Sequence, residues 1–245
     1  MNSTNWTINE NNFQKMYELF DNRLKQVQPL TSPIPEDLAM RMIDLATDLK
    51  KTFKSSIKEF YKLPKSCLDE IVKKEVTTLS LHLIQIEDIT SLGDENIGDI
   101  KNNDVQFAVS FDDQYNYFLI CDVPQLVDIS KNFLQYKKSF TKNIRPEIDK
   151  HIVGLTGGIK TENTTTIYIP VDSLKKFSKD IYIHPAVVDA NPDNVFHSIT
   201  HLYNFTVVAS DTDLTKKTET SVALVLEDVY RTCKPYCSGT GGGII

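Results

Sequence analysis

Two apolar runs, Val105-Gln-Phe-Ala-Val-Ser-Phe111 and Tyr115-Asn-Tyr-Phe-Leu-Ile-Cys121, flank the polar triplet Asp112-Asp-Gln114. In the first run, large apolar residues alternate with small or polar ones. A period of two is typical of a β-strand, because successive side chains point to opposite faces. The triplet between the runs predicts a tight turn, so the stretch predicts a β-hairpin.

Upstream of this hairpin the apolar spacing is three and four, which is the period of an amphipathic helix. A first helix is predicted over residues 10–28. A second begins after Pro35, and its apolar stripe runs unbroken over residues 38–60. A third is predicted to start at Pro64 and to run through Val76, because proline is tolerated in a first helical turn.

The chain is therefore predicted to belong to the α+β class, with its helices first and a mixed, partly antiparallel sheet after them. Residues 1–86 form the predicted helical unit, a hairpin or three-helix bundle, in which residues 77–86 fit either a helix or a strand. Residues 87–104 hold six acidic residues and one lysine and predict a surface loop or linker. An α+β domain over residues 105–237 and a Gly-rich tail over residues 238–245 complete the predicted organisation.

Downstream of the hairpin, the pattern predicts further helices and strands in alternation. Residues 124–140 have helical spacing, and an irregular segment with a glycine turn at residues 154–158 follows. The remaining predicted strands lie at 164–169, 181–183, 205–209 and 221–226, and the remaining predicted helices at 171–178 and 195–203.

The charge of the chain is concentrated in its second part. Residues 1–85 hold 12 basic and 11 acidic residues, whereas residues 86–245 hold 15 and 22. An acidic surface repels phosphate backbones, and 23 lysines against 4 arginines leave few side chains that bind phosphates and bases in a bidentate manner. Nucleic acid is therefore not expected as a partner.

The sequence also predicts a cytoplasmic protein that does not cross or bind a membrane. It contains no run of about 18 apolar residues, and its first residues lack the basic and apolar regions of a signal peptide. Four cysteines in 245 residues are too few and too scattered for a disulfide framework, which fits a reducing compartment.

Two pairs of side chains have a spacing that can bind a metal. His197 and His201 are four residues apart, which would place both imidazoles on one face of a helix, and Cys233 and Cys237 are also four residues apart. Two histidines and two cysteines would complete a tetrahedral zinc site. Alternatively, the histidines lie on a polar helix face and the thiols are unrelated, or the cysteines form a disulfide.

Other short matches lack the companion residues that their chemistry needs. Ser55-Ser-Ile-Lys58 and Ser173-Leu-Lys-Lys176 match Ser-x-x-Lys, but the partner motifs of that nucleophile are missing. The glycines at 154–158 lack the Lys-Ser/Thr of a phosphate-binding loop, so a turn is the simpler interpretation.

These observations favour a non-enzymatic protein-interaction or assembly protein. It would present the long helical stripe, the acidic loop or the tail to a protein partner or to a second copy. A zinc-stabilised domain or metal-dependent enzyme that uses His197, His201, Cys233 and Cys237 is an alternative. A small-ligand binding domain with a pocket in the strand-rich half is another. No cofactor other than zinc is expected.

Overall fold

The computed structural model describes residues 33–34, 36–52, 57–93, 97–111, 115–155, 166–188, 205–215 and 223–226. Within these ranges the helices are α1 (Glu36–Thr52), α2 (Lys65–Lys73), α3 (Phe133–Asn143), α4 (Arg145–Leu155) and α5 (Val171–Leu174), with a 3-10 helix at Ile89–Leu92. The strands are β1 (Pro33–Ile34), β2 (Tyr61–Leu63), β3 (Thr78–Ile86), β4 (Asp104–Phe111), β5 (Phe118–Leu119), β6 (Val127–Asp128), β7 (Thr166–Pro170), β8 (Ile181–Val187), β9 (Phe205–Ser210) and β10 (Ala223–Leu226).

The strands form two five-stranded sheets. Sheet A has the order β1-β10-β9-β8-β2, and sheet B has the order β6-β5-β4-β3-β7. Every neighbouring pair is antiparallel. Together with the helices, these sheets confirm the predicted α+β class.

Both sheets contribute side chains to one apolar cluster. On β3, Leu79, Leu81 and Leu83 alternate with the residues of the opposite face, and β4 places Val109 and Phe107 opposite Leu81 and Leu83. These five side chains are at most 2% exposed and belong to a cluster that also includes residues of β2, β7, β8 and β9. Because burial of such side chains is the main favourable term in folding, this alternation sets the register of sheet B.

A hydrogen bond joins the two sheets. The Tyr61 hydroxyl on β2 donates to the backbone oxygen of Val105 on β4 at 2.8 Å, and it accepts from the Lys58 backbone N–H at 3.3 Å. The Tyr61 ring packs edge-on against Phe107, with 4.8 Å between centroids. Burial raises the pKa of Tyr61 far above its usual value, so the hydroxyl keeps its proton.

Helix α1 covers the outer face of sheet A. Leu38, Met42 and Ile43 are buried in a cluster with Ala186 of β8 and Val208 of β9. The first part of the predicted apolar stripe therefore packs within the chain rather than against a partner.

The predicted continuation of this stripe as one helix to Phe60 is wrong. Helix α1 ends at Thr52, the described residues 57–60 are not helical, and residues 61–63 form β2 at the edge of sheet A, paired with β8. Tyr61 and Leu63 are both buried. Residues two apart lie about 200° apart on a helix, so a helix cannot bury both on one face, whereas a strand does.

The prediction of a helical unit over residues 1–86, with residues 77–86 left open between helix and strand, is wrong at residues 33–34 and 61–63. Residues 33–34, 61–63 and 78–86 are strands, and the ambiguous segment 77–86 holds β3, which pairs with both β4 and β7. Residues Leu30–Asp228 form one compact unit, so α1, α2 and β3 fold together with the later strands. Helix α2 lies within the third predicted helix.

The acidic segment 87–104 packs partly into the protein. It forms the 3-10 helix at Ile89–Leu92, and Leu92, Ile97 and Ile100 are buried beside sheet B. Its exposed side chains are mainly polar or acidic, as expected for a surface loop.

The region after the hairpin differs from the predicted helix over residues 124–140. Residues 127–128 form β6, and α3 starts at Phe133. Of the predicted irregular segment, residues 145–155 form helix α4, which contains Gly154, and residues 156–158 of the predicted glycine turn lie outside the described residues. Ile144, Ile148 and Ile152 are buried at four-residue spacing, which stabilises a helix across Pro146 in its first turn.

The other predicted elements are confirmed where the structure describes them. The predicted hairpin is formed by β4 and the shorter β5, and the strands predicted at 164–169, 205–209 and 221–226 correspond to β7, β9 and β10. The strand predicted at 181–183 is longer, and α5 covers the start of the helix predicted at 171–178. Among the described helices, none is long and apolar enough to span a bilayer. The helices predicted at 10–28 and 195–203 lie outside the described residues.

Candidate functional site

The outer face of sheet B carries a histidine between two hydroxyl groups. His82 on β3 lies 3.2 Å from the Thr166 hydroxyl on β7 through Nδ1, and 2.9 Å from the Ser110 hydroxyl on β4 through Nε2. The three side chains share one face because the strands are neighbours in the sheet. A hydroxyl can donate or accept, so this arrangement satisfies either neutral tautomer of the imidazole.

Aromatic rings connect this histidine to the start of α3. The His82 ring meets the rings of Tyr117 and Phe133 edge-on, at 5.6 and 5.3 Å between centroids. Tyr117 stacks on Phe133 at 3.5 Å, with only 4° between the ring planes. Since Phe133 is the first residue of α3, this stack fixes the first turn of the helix against sheet B.

The acidic loop is hydrogen-bonded along the length of the same helix. Near the start of α3, the Asn132 amide donates to the Ser91 backbone oxygen at 2.7 Å, and the Ser91 hydroxyl contacts the Tyr136 hydroxyl. At the end of α3, the Asn143 amide donates to the Glu87 carboxylate at 2.8 Å. The loop and α3 therefore lie side by side.

The exposed face of α3 combines one apolar side chain with a row of lysines. Leu134 is 78% exposed. Lys131, Leu134, Lys138 and Lys142 follow each other at spacings of three, four and four, which places them along one side of the helix. All four are exposed, and Lys131 lies just before the first turn. We call these four residues the α3 stripe.

The lysines of the α3 stripe are unpaired among the described residues. Each of the other four described helices has a basic side chain bonded to an acid three or four residues away on the same helix or at its end, namely Arg41–Asp37, Lys65–Asp69, Lys74–Glu70, Arg145–Asp149 and Lys175–Asp172. Helix α3 has three lysines and no acidic residue, so no such pair can form within it. Lys138 and Lys142, four apart, repel each other weakly.

The loop beside α3 presents the opposite charge. Glu87, Asp88 and Asp99 are exposed, and Asp99 lies between Ile97 and Ile100, which are buried in the same cluster as Phe133 of α3. We call these three acids the loop acids.

Asp88 is held in its charged form by local contacts. The Thr90 backbone N–H donates to its carboxylate at 2.9 Å, and the Thr90 hydroxyl donates at 2.8 Å. These bonds hold the pKa of Asp88 below its usual value, the backbone bond most strongly. The surface therefore has a basic edge and an acidic edge beside it.

The His82–Ser110 pair does not have the geometry of a nucleophile with its base. Ser110 is only 4% exposed, so a substrate cannot reach its hydroxyl in this conformation. The second imidazole nitrogen faces a Thr166 hydroxyl, whereas such pairs are typically oriented by a third group, most often a carboxylate. The contacts of His82 position the aromatic stack and, through it, α3.

The four residues of the predicted metal site, His197, His201, Cys233 and Cys237, lie outside the described residues. Within the part of the chain that the structure describes, no group of three or more His, Cys, Asp or Glu side chains can hold a metal ion. The zinc site remains a prediction from spacing, which elemental analysis of the purified protein tests.

The other motif residues have structural positions where they are described. Ser173 is buried in α5 and Gly154 lies in α4. His184 is fully buried on β8, where its Nε2 accepts from the Leu214 backbone N–H at 3.4 Å and lies 3.5 Å from the Ser210 hydroxyl. These contacts support the turn after β9.

No protein-family model matches this chain, and no curated protein or solved structure is significantly similar to it.

Proposed function

We propose that this chain is a non-enzymatic protein-interaction or assembly protein that binds a protein partner through the α3 stripe. The observation that carries the proposal is the exposure of Leu134, a large apolar side chain that is 78% exposed. It lies in a row of lysines that have no acidic partner among the residues that the structure describes. Of the three surfaces expected from the sequence, the described part of the α1 stripe is used inside the chain. The loop is available beside α3, and the tail lies outside the described residues.

The energetic roles of the two kinds of side chain differ. Burial of a leucine side chain contributes about 1.5–3 kcal/mol, whereas an exposed ion pair contributes only about 0.2–1 kcal/mol. Leu134 would therefore supply much of the affinity of this contact. The lysines would select an acidic partner surface and orient it.

Site-specific photo-crosslinking in cells tests the proposal. A photoreactive amino acid replaces Gln135, which is exposed beside Leu134, and in a matched control it replaces Lys73, which is exposed on α2. We expect a discrete protein adduct from position 135 that is lost when Leu134→Glu is added, and no such adduct from position 73. Equal labelling from both positions, or an adduct that tolerates Leu134→Glu, would overturn the proposal.

A further inference from the structure

We propose that the partner of the α3 stripe is a second copy of this chain, whose loop acids dock against the stripe. This inference rests on the proposed function and names its partner. Each copy would offer its α3 stripe to the loop of the other, which makes a symmetric dimer with two equivalent contacts.

The charges of the surface favour this arrangement over a direct contact between two α3 helices. Two α3 stripes placed against each other would bring six lysines together and no acid. Three lysines of one copy against the three loop acids of the other pair opposite charges instead. An acidic edge beside the stripe also repels phosphates, which disfavours nucleic acids and anionic lipids at this surface.

The two edges also have the positions that a two-fold contact needs. Ser91 is bonded to Asn132 at the start of α3 and Glu87 to Asn143 at its end, so residues 87–91 of the loop run along the helix. The 11 residues of α3 span about 16 Å. A two-fold axis between two parallel edges exchanges them, so each helix meets a loop.

Within one copy the opposite charges do not neutralise each other. Glu87 accepts from the Asn143 amide, and Asp88 accepts from the Thr90 N–H and hydroxyl. Among the described residues, the three lysines of the stripe have no ion pair. Both edges are therefore available to a second copy, with Leu134 between the lysines as the apolar contact.

A charge-exchange experiment on the full chain tests this proposal. Variant K carries Lys138→Glu and Lys142→Glu, variant D carries Glu87→Lys and Asp99→Lys, and a control carries Lys73→Glu and Lys176→Glu at exposed positions outside the stripe. Light scattering measures mass over a concentration series, and circular dichroism checks that each variant is folded. We expect the wild type and the control to dimerise alike, and variants K and D each to dimerise about tenfold more weakly or worse.

The decisive sample is the mixture of variants K and D. Its acidic α3 edge can pair with the basic loop of the other variant, and the remaining two edges keep their native charges. We expect the mixture to dimerise about as well as the wild type, and more weakly at high salt. A wild type that stays monomeric, a dimer that both variants tolerate, or a mixture that fails to associate would each overturn the proposal.

The outcome also separates this inference from the proposed function. A monomeric wild type whose crosslink from position 135 goes to a different protein removes the second copy as the partner but keeps the interaction surface. A monomeric wild type that gives no crosslink removes both. An adduct of twice the 27.9 kDa chain mass supports both.

Discussion

Replacing Tyr61 with phenylalanine isolates the hydrogen bond that joins the two sheets. The substitution keeps the ring and its contact with Phe107 and removes only the hydroxyl. Two bonds are lost, from the hydroxyl to the Val105 oxygen and from the Lys58 N–H to the hydroxyl. Water can reach the partly exposed Lys58, but Val105 is fully buried and its oxygen loses an interaction that water cannot replace.

The expected cost follows from this difference. A net hydrogen bond contributes about 0.5–1.5 kcal/mol, and a buried polar group left without its partner costs about 1–3 kcal/mol. We therefore expect Tyr61→Phe to lower the free energy of unfolding by about 1–3 kcal/mol. Urea unfolding followed by circular dichroism measures it, with an unchanged dependence on urea concentration.

The matched control is Tyr115→Phe, which removes the hydroxyl of a tyrosine that is 86% exposed. It should change the free energy of unfolding by less than about 0.5 kcal/mol. If Tyr61→Phe is as stable as this control, the bond between the sheets does not contribute to stability and the reasoning fails.

The raised pKa of Tyr61 adds a pH dependence to the same test. Its folded-state pKa lies above the unfolded value of about 10, so the unfolded chain releases this proton first. The stability tied to the protonated hydroxyl is fully present below about pH 10 and is lost as the pH rises above it. The destabilisation caused by Tyr61→Phe should therefore shrink in alkaline solution, as judged by unfolding at several pH values.

Three further predictions use other parts of the fold. Met42→Ala should lower the free energy of unfolding in urea by about 2–5 kcal/mol, because this side chain of α1 is fully buried against sheet A. A loss below about 1 kcal/mol would contradict that packing. Burial raises the pKa of Cys67 and raises the pKa of Cys121 to about 12. Mass spectrometry should therefore find both thiols alkylated slowly at neutral pH in the folded protein and rapidly in urea. Rapid labelling of the folded protein would refute their burial. The Lys65 backbone N–H donates to the Asp180 carboxylate at 2.8 Å and holds the pKa of Asp180 below its usual value. The stability that this bond contributes is present above the unfolded pKa of about 4 and is lost as the pH falls through the folded pKa. Asp180→Asn should flatten the acid limb of the stability profile, and an unchanged limb would argue against the bond.

The sequence predicts best those strands whose apolar residues form a short run between polar or turn residues, as in the β4–β5 hairpin, β7, β9 and β10. Buried residues alternate with half-buried ones on β7, whereas β9 is buried on both faces. Strand β2 differs, because its partner β8 lies about 120 residues away in the sequence and Tyr61 pairs with Ile183. Because β2 is only three residues long, its alternation is too short to predict a strand without that partner.

Helix α4 shows the limit of local breakers. Pro146 and Gly154 both predict an interruption, yet the helix runs from Arg145 to Leu155. Pro146 lies in the first turn, where no N–H is needed, and a glycine in a helix costs only about 1 kcal/mol. Burial of Ile148 and Ile152 outweighs that cost, but sequence spacing alone does not reveal what they pack against.

The sequence does not predict the exposed surface of α3, because the predicted helix begins too early and assigns Leu134 to its buried side. With a helix predicted from residue 124, Leu134 counts as one more apolar residue of the core. In the structure, Phe133, Tyr136 and Phe140 define the buried side, and Leu134 lies about 100° around the axis from Phe133. The sequence did carry a usable signal, because a helix with three lysines and no acid cannot pair its own charges.

The significance of this surface lies in the combination of its parts rather than in any one of them. A single exposed leucine is ordinary in a soluble protein, and unpaired lysines are common on helices. Here the leucine lies in line with the lysines, and the acids lie along the adjacent loop, which hydrogen bonds fix beside α3. A charged edge next to its opposite is a self-complementary surface, and on this ground we propose a second copy of the chain as the partner. For this reason the mixture of variants K and D is more informative than either variant alone, because only pairing between copies predicts that two defective proteins restore each other.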